Sequence, residues 1–161
     1  MSSAEMLRGW RLAAPRYASS VDEMMSGEGA YHNGGRWNSK GVKVVYLGSS
    51  LAQAAMELLV HLGRADILRY FHVLEVDFPE SIVQHIDSSE LPDNWAEPAM
   101  AASVQQVGDD WVSNESSVVL QVPSAAVMGE YNYLVNPQHP GIKKLVYSEI
   151  IPFNYDPRLI K

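Results

Sequence analysis

The 161-residue chain predicts a single α+β domain built on a mixed β-sheet with flanking helices. Three observations lead there. Runs of β-branched and aromatic residues bounded by glycine or proline recur along the chain, one segment between them carries both a helix start and a helix stop, and strands and helices do not alternate regularly as parallel units would. A chain of this length buries about two thirds of its unfolded surface in one core, which leaves no room for a second full domain. Apolar residues make up 47% and charged residues 19%, the balance of an ordinary globular protein, so disorder is not expected.

The elements follow in order. Gly41 to Gly48 (GVKVVYLG) is β-branched and aromatic and predicts a largely buried strand. Ser50-Leu51-Ala52-Gln53 is a capping-box pattern that opens a helix running to about Leu62, and Gly63 is its natural stop. Tyr70 to Phe78 predicts a second strand broken by Pro79, Ser117 to Val122 a third ending at Pro123, and Leu145 to Phe153 a fourth. A short helix is expected over Ala99 to Gln106. No internal repeat is visible.

A formal net charge of −7 argues against a duplex DNA or RNA binder, which would present a basic stripe to the phosphates. The first residues, MSSAEMLRGW, show no basic segment leading into an apolar run, and no apolar stretch approaches a membrane span. A cytoplasmic protein is expected. The absence of cysteine excludes disulfides, thiolate nucleophiles and sulfur-based zinc sites, so any catalysis must use oxygen or nitrogen groups.

Four of the 11 glycines crowd into Ser26 to Asn38, SGEGAYHNGGRWN, as Gly27, Gly29, Gly34 and Gly35. Glycines ahead of Arg36 remove side chains that would block a ligand, and a guanidinium grips a phosphate through two parallel hydrogen bonds. The competing reading is a plain turn with Arg36 paired to a surface acid. The loop matches neither the nucleotide-binding loop ending in glycine-lysine-serine nor the spaced glycines of a dinucleotide fold. Trp37 reads as a core anchor.

On the helix, at about 100° per residue, Leu51, Ala55, Leu58 and Leu62 share one face while Met56, Leu59 and Val60 cover much of the remainder. A narrow strip of Gln53, Glu57, His61 and Arg64 is left. Glu57 therefore looks either at water, the commoner outcome, or into a cleft between packed surfaces. Glu57 and His61 lie one turn apart, but with no third ligand nearby a metal site is not expected. Tyr46, on the strand before this helix, reads as a packed tyrosine or as a phenol sharing that cleft. Arg11 reads as a second cation or a salt-bridge partner. His32, His72, His85 and His139 lack metal-ligand spacing.

Taken in order, GEGA, GGRWN, VVYLGSS, the helix ending in MELLVHL, VPSAAV, NYLVNPQHP and FNYDPRL closely resemble the RES domain, from about Trp10 to Leu159. The resemblance implies an ADP-ribosyltransferase-like, NAD-binding core in a bacterial toxin paired with an Xre-type helix-turn-helix antitoxin. NAD+ would be a substrate, with no metal. Residue by residue, it implies catalytic roles for Glu57, Tyr46 and Arg36, and NAD+-binding roles for Arg11, Gly35, Arg36, Tyr46 and Ser124. Scission of the nicotinamide–ribose bond suits these residue types, because a carboxylate stabilises the cationic sugar and arginines hold the phosphates. The acceptor of ADP-ribose stays open between water, phosphate and a protein side chain. The alternative is a non-catalytic module that uses the same cleft to bind a nucleotide or the antitoxin.

Overall fold

The computed structural model describes residues 5–64 and 66–159. Eight strands form one sheet: β1 (Met6–Ala13), β2 (Val45–Gly48), β3 (His72–Pro79), β4 (Val83–His85), β5 (Val119–Pro123), β6 (Tyr131–Val135), β7 (Val146–Tyr147) and β8 (Ile151–Pro152). Their order is β4-β5-β6-β2-β1-β3-β7, with β8 also on β3. The β4–β5 pair is parallel and every other pair antiparallel, so the sheet is mixed and the fold α+β. The helices are α1 (Val21–Met24), α2 (Glu28–Asn33), α3 (Leu51–Leu62) and α4 (Ala102–Ser113).

Helix α3 begins and ends where local signals place it. The Ser50 hydroxyl accepts a hydrogen bond from the Gln53 amide at 3.0 Å, and Gly63 closes the helix in the left-handed conformation at φ 65°. The strand before it is shorter than expected. Residues 41–44 stay outside the ladder, with Gly41 at φ 93° and the Val42 amide donating back to the Ser39 carbonyl. The single strand expected over residues 145–153 is two two-residue strands, because Ser148 leaves the ladder and bonds Glu75 from both its backbone and its hydroxyl. Helix α4 starts later and runs further than the expected 99–106. Its buried Val104, Gly108 and Trp111 recur at helical spacing, and that apolar stripe extends the helix. Strands β1 and β6 were not anticipated: the arginines of MLRGWRLA and the asparagine of YNYLV obscure their β pattern.

Register assigns the two faces. Gly48 lies opposite Trp10 on β1 and Asn132 on β6, and Val122 on β5 lies opposite Asn132 in turn. Directly opposed residues share a face, so Trp10, Leu12, Tyr46, Gly48, Asn132, Leu134, Leu120 and Val122 point one way. Two apolar clusters cover this face. Leu12, Val73 and Phe153 pack with Ala54 and Leu58 of α3, and Leu120, Val122 and Leu134 pack with Trp37 and with Val104 and Trp111 of α4. The opposite face carries Leu47, Leu74, Val76, Phe78 and Tyr133 against Met24 and Met25. Strand β1 pairs with β3 along its whole length but with β2 only at Trp10, so the sheet opens between β1 and β2.

Candidate active site

Glu57 sits on α3 above Asn132, in the seam between the two clusters. Three side chains converge on one of its oxygens: Oε1 accepts from Ser124 Oγ at 2.6 Å, Asn132 Nδ2 at 2.8 Å and Gln53 Nε2 at 3.0 Å. Gln53, Asn132 and Ser124 are 3%, 8% and 5% exposed, so these donors are shielded from competing water. The Ser124 hydroxyl also accepts from the Ala126 and Val127 amides, both at 3.1 Å. With both lone pairs engaged, its proton is directed at Glu57. Among the described residues no protein donor reaches Glu57 Oε2. Of the two readings that periodicity left open for Glu57, the solvated one does not describe this environment.

Close approach of α3 to the sheet creates this geometry. A Cβ on Gly48 would lie 2.5 Å from the Ala54 amide nitrogen and 2.8 Å from its Cα, so only glycine lets the first turns of α3 descend onto β2. That brings Gln53 and Glu57 within reach of Asn132.

A second polar cluster joins the glycine loop to β2. The Tyr46 hydroxyl donates to Asn38 Oδ1 at 2.5 Å and accepts from the Trp37 amide at 3.2 Å. Asn38, fully buried, returns its amide protons to the carbonyls of Ala30, Ser39 and Val42. Gly35 packs so tightly on this pair that a Cβ there would lie 2.5 Å from the Tyr46 hydroxyl. Burial pushes the Tyr46 pKa well above the ordinary tyrosine value, with the charges of Asp109, Arg36 and Glu57 also acting on it. The phenol is a neutral hydrogen-bond donor at physiological pH. Helix α4 fixes the loop from the other side: Gln105 Nε2 donates to the Gly35 carbonyl at 2.9 Å, and Asp109 accepts from the Ser39 amide and hydroxyl. Gly108 makes this docking possible, since a Cβ there would overlap the Trp37 carbonyl oxygen.

Arg36 is half-buried and has no acid partner among the described residues. Its Nη1 donates to the carbonyls of Trp95 at 2.9 Å and Glu97 at 2.8 Å, so the guanidinium is positioned without being neutralised. Its Nε and Nη2 make no hydrogen bond to any of the described residues. Among the described residues, the surface ion pair that sequence left as an alternative is not formed. Arg11 is likewise held by carbonyls, Nε on Met24 at 3.1 Å and Nη1 on Leu12 at 3.0 Å. Desolvation alone pulls its pKa down to about 10, which leaves it charged at neutral pH, with no carboxylate partner among the described residues. Alternation along β1 puts Arg11 on the face of Leu47 and Leu74, opposite that of Tyr46 and Asn132, next to the opening between β1 and β2.

The structure thus gathers Gly35 and Tyr46 in one cluster, with Arg36 next to Gly35 on the same loop, and Glu57 and Ser124 in a second on the same face of the sheet. Arg11 shares no hydrogen bond with either. Sequence reasoning missed Gln53 and Asn132 as partners of Glu57. Gln53 stood on the same polar strip, four residues before Glu57, but Asn132 carried no local signal. A shallow surface pocket lined by Ser81, Val83, Ser117, His139 and Lys144 shares none of these residues. Among the described residues no group of three His, Cys, Asp or Glu could hold a metal ion.

Fold and site together define a class. The fold is that of the M. tuberculosis MbcT–MbcA toxin–antitoxin complex, one chain of which matches with a TM-score of 0.71 over 97% of this chain and 87% of that one, at 20% identity. The RES domain profile matches residues 8–156, and the chain belongs to the RES domain family. Among its relatives, "Toxin Res" of Yersinia enterocolitica is 34% identical over 151 residues, spanning 93% of this chain and 97% of that protein. The "Prs ADP-ribosylating toxin" of Sphingobium sp. (strain YBL2) is 35% identical over 156 residues, spanning 94% and 96%.

Proposed function

We propose that the chain is a toxin that cleaves the nicotinamide–ribose bond of NAD+ and transfers ADP-ribose to an acceptor. The observation that carries this reading is Glu57: a carboxylate held through one oxygen by three buried donors, with no donor on the other oxygen among the described residues, over the sheet face that also carries Tyr46. When the glycosidic C–N bond breaks, its electron pair leaves with nicotinamide, which departs neutral and needs no general acid. Positive charge develops on the ribose. A fixed anion at that position stabilises the transition state more than the ground state. The acceptor then bonds to the same carbon and loses a proton.

Arg36 has the remaining donors to hold pyrophosphate, and Gly35, by packing on the Tyr46 hydroxyl, seats the loop that carries it. Tyr46 borders the nicotinamide. Arg11, charged and without an acid partner beside the opening of the sheet, takes a second phosphate contact. The names of the two relatives support a toxin, and one of them names ADP-ribosylation. A protein side chain, water or phosphate could each serve as acceptor. The partner is an antitoxin, which the toxin–antitoxin origin of the fold neighbour supports, and the family resemblance of the sequence makes it an Xre-type helix-turn-helix protein. The antitoxin covers the cleft near Arg36, so the free chain binds NAD+ and the complex does not. Equal affinities would remove that occlusion. The toxin acts in the cytoplasm; among the described residues no helix is long and apolar enough to cross a membrane.

The deciding experiment is nicotinamide release from NAD+ by purified protein, with and without cell lysate as a source of acceptor. Release supports the enzyme. NAD+ binding without release would instead establish a non-catalytic module.

A further inference from the structure

We infer that Gln53 and Asn132 are positioning residues that hold Glu57 in its reactive orientation; this rests on the NAD+-cleaving reading above. Both amides are buried, Gln53 3% and Asn132 8% exposed, so they act on substrate through Glu57 rather than by touching it. Asn132 Nδ2 is committed to Glu57 Oε1 at 2.8 Å, while its Oδ1 accepts from Gln53 Nε2 at 3.1 Å. Gln53 Nε2 spans both partners, reaching Glu57 Oε1 at 3.0 Å. The three side chains form a closed triangle whose only charged corner is the carboxylate.

The consequence for chemistry lies in which oxygen is held. With Asn132, Gln53 and the Ser124 hydroxyl all on Oε1, the carboxylate plane cannot swing without breaking three part-buried hydrogen bonds, and Oε2 is the oxygen left for ribose. Fixed dipoles around a catalytic anion spare the reorganisation that water would require as charge develops. The triangle also joins two elements distant in sequence, α3 and β6, so the docking of the helix and the aim of the carboxylate are set by the same contacts. Gly48, by admitting α3 to the sheet, is the backbone condition for it.

The test uses two near-isosteric changes in the full-length protein, with NAD+ as the probe. Asn132→Asp replaces the donor to Oε1 by an acceptor. Gln53→Met keeps length and removes the donor to both partners. Each is expected to lower kcat for nicotinamide release about tenfold or more while KM for NAD+ moves less than about threefold, since the contact matters most when the ribose is cationic. A general loss of structure would not give that split. In the Glu57→Gln background, adding Asn132→Asp should cost less than about a further twofold, because a residue acting only through Glu57 has nothing left to position. Folding is checked by circular dichroism melts, and if Asn132→Asp does not fold, Gln53→Met decides. Parent-like kcat in a folded variant, or full additivity in the Glu57→Gln background, would overturn the inference. A parent protein that releases no nicotinamide would instead overturn the NAD+ reading and this role with it, and because the parent is assayed first the two failures are told apart.

Discussion

Removing the Tyr46 hydroxyl with Tyr46→Phe separates what that group does for the fold from what the ring does for the ligand. The hydroxyl bridges the Trp37 amide at 3.2 Å and Asn38 Oδ1 at 2.5 Å. Both Trp37 and Asn38 are buried, so water cannot replace the lost partner. Leaving a buried polar group unsatisfied costs about 1–3 kcal/mol. The long Trp37 contact falls at the low end of that range and the short Asn38 contact at the high end, for a total of about 4 kcal/mol. For a domain of this size that corresponds to a fall in Tm of about 8–16 °C. Urea unfolding at neutral pH, supported by a thermal melt, measures it. The aromatic ring remains, so NAD+ affinity should stay within about threefold of the parent provided the assay is run well below the new Tm. A stability loss below about 0.5 kcal/mol would show that the hydroxyl does not tie the glycine loop to the sheet.

Alkaline titration tests the same burial from another side. Tyr46, Tyr133 and Tyr147 all have pKa values raised by desolvation, so above pH 10 the unfolded chain gives up protons that the native state keeps. Stability from this source is complete below pH 10 and falls as pH rises further; the urea midpoint should drop between about pH 8 and about pH 11, less steeply in Tyr46→Phe, and identical slopes would contradict the burial of this phenol. Glu57→Gln keeps shape and an acceptor oxygen but loses the charge. Turnover should fall about a hundredfold, equivalent to ~3 kcal/mol, with NAD+ affinity changed far less. Nicotinamide release at saturating NAD+ reads it, and parent-like turnover would remove Glu57 from the mechanism. Arg36→Lys keeps the charge but loses both the planar two-point grip and the fixed bonds to the Trp95 and Glu97 carbonyls, so calorimetry should show NAD+ binding at least about tenfold weaker. Unchanged affinity would end its role as a phosphate clamp.

Much of the fold was legible because its signals are local. Ser50, Gln53 and Gly63 bounded α3 correctly, since a cap is a hydrogen bond between residues three apart and a left-handed stop is a property of one residue. The β-branched runs around Val45, Val73 and Val119 marked three strands for a similar reason. Local reading failed where pairing partners supply the order. β1 and β6 carry arginines and asparagines that face a groove or a neighbouring element, and residues 145–153 break in two only because β3 leaves Ser148 to bond Glu75.

The candidate site divides along the same line. The ordered motifs of the chain pointed to Arg11, Gly35, Arg36, Tyr46, Glu57 and Ser124 from sequence alone, by resemblance to a family. Periodicity could not say whether Glu57 faces water, because α3 is apolar on both sides of its polar strip and the helix alone does not determine which side meets the sheet. That was decided by Ser124 and Asn132, 67 and 75 residues further along, whose side chains meet the carboxylate only after β5 and β6 have paired and Gly48 has let α3 close on them. A helix states its own beginning and end in its sequence; the direction of its half-buried glutamate is a property of the surface it lands on.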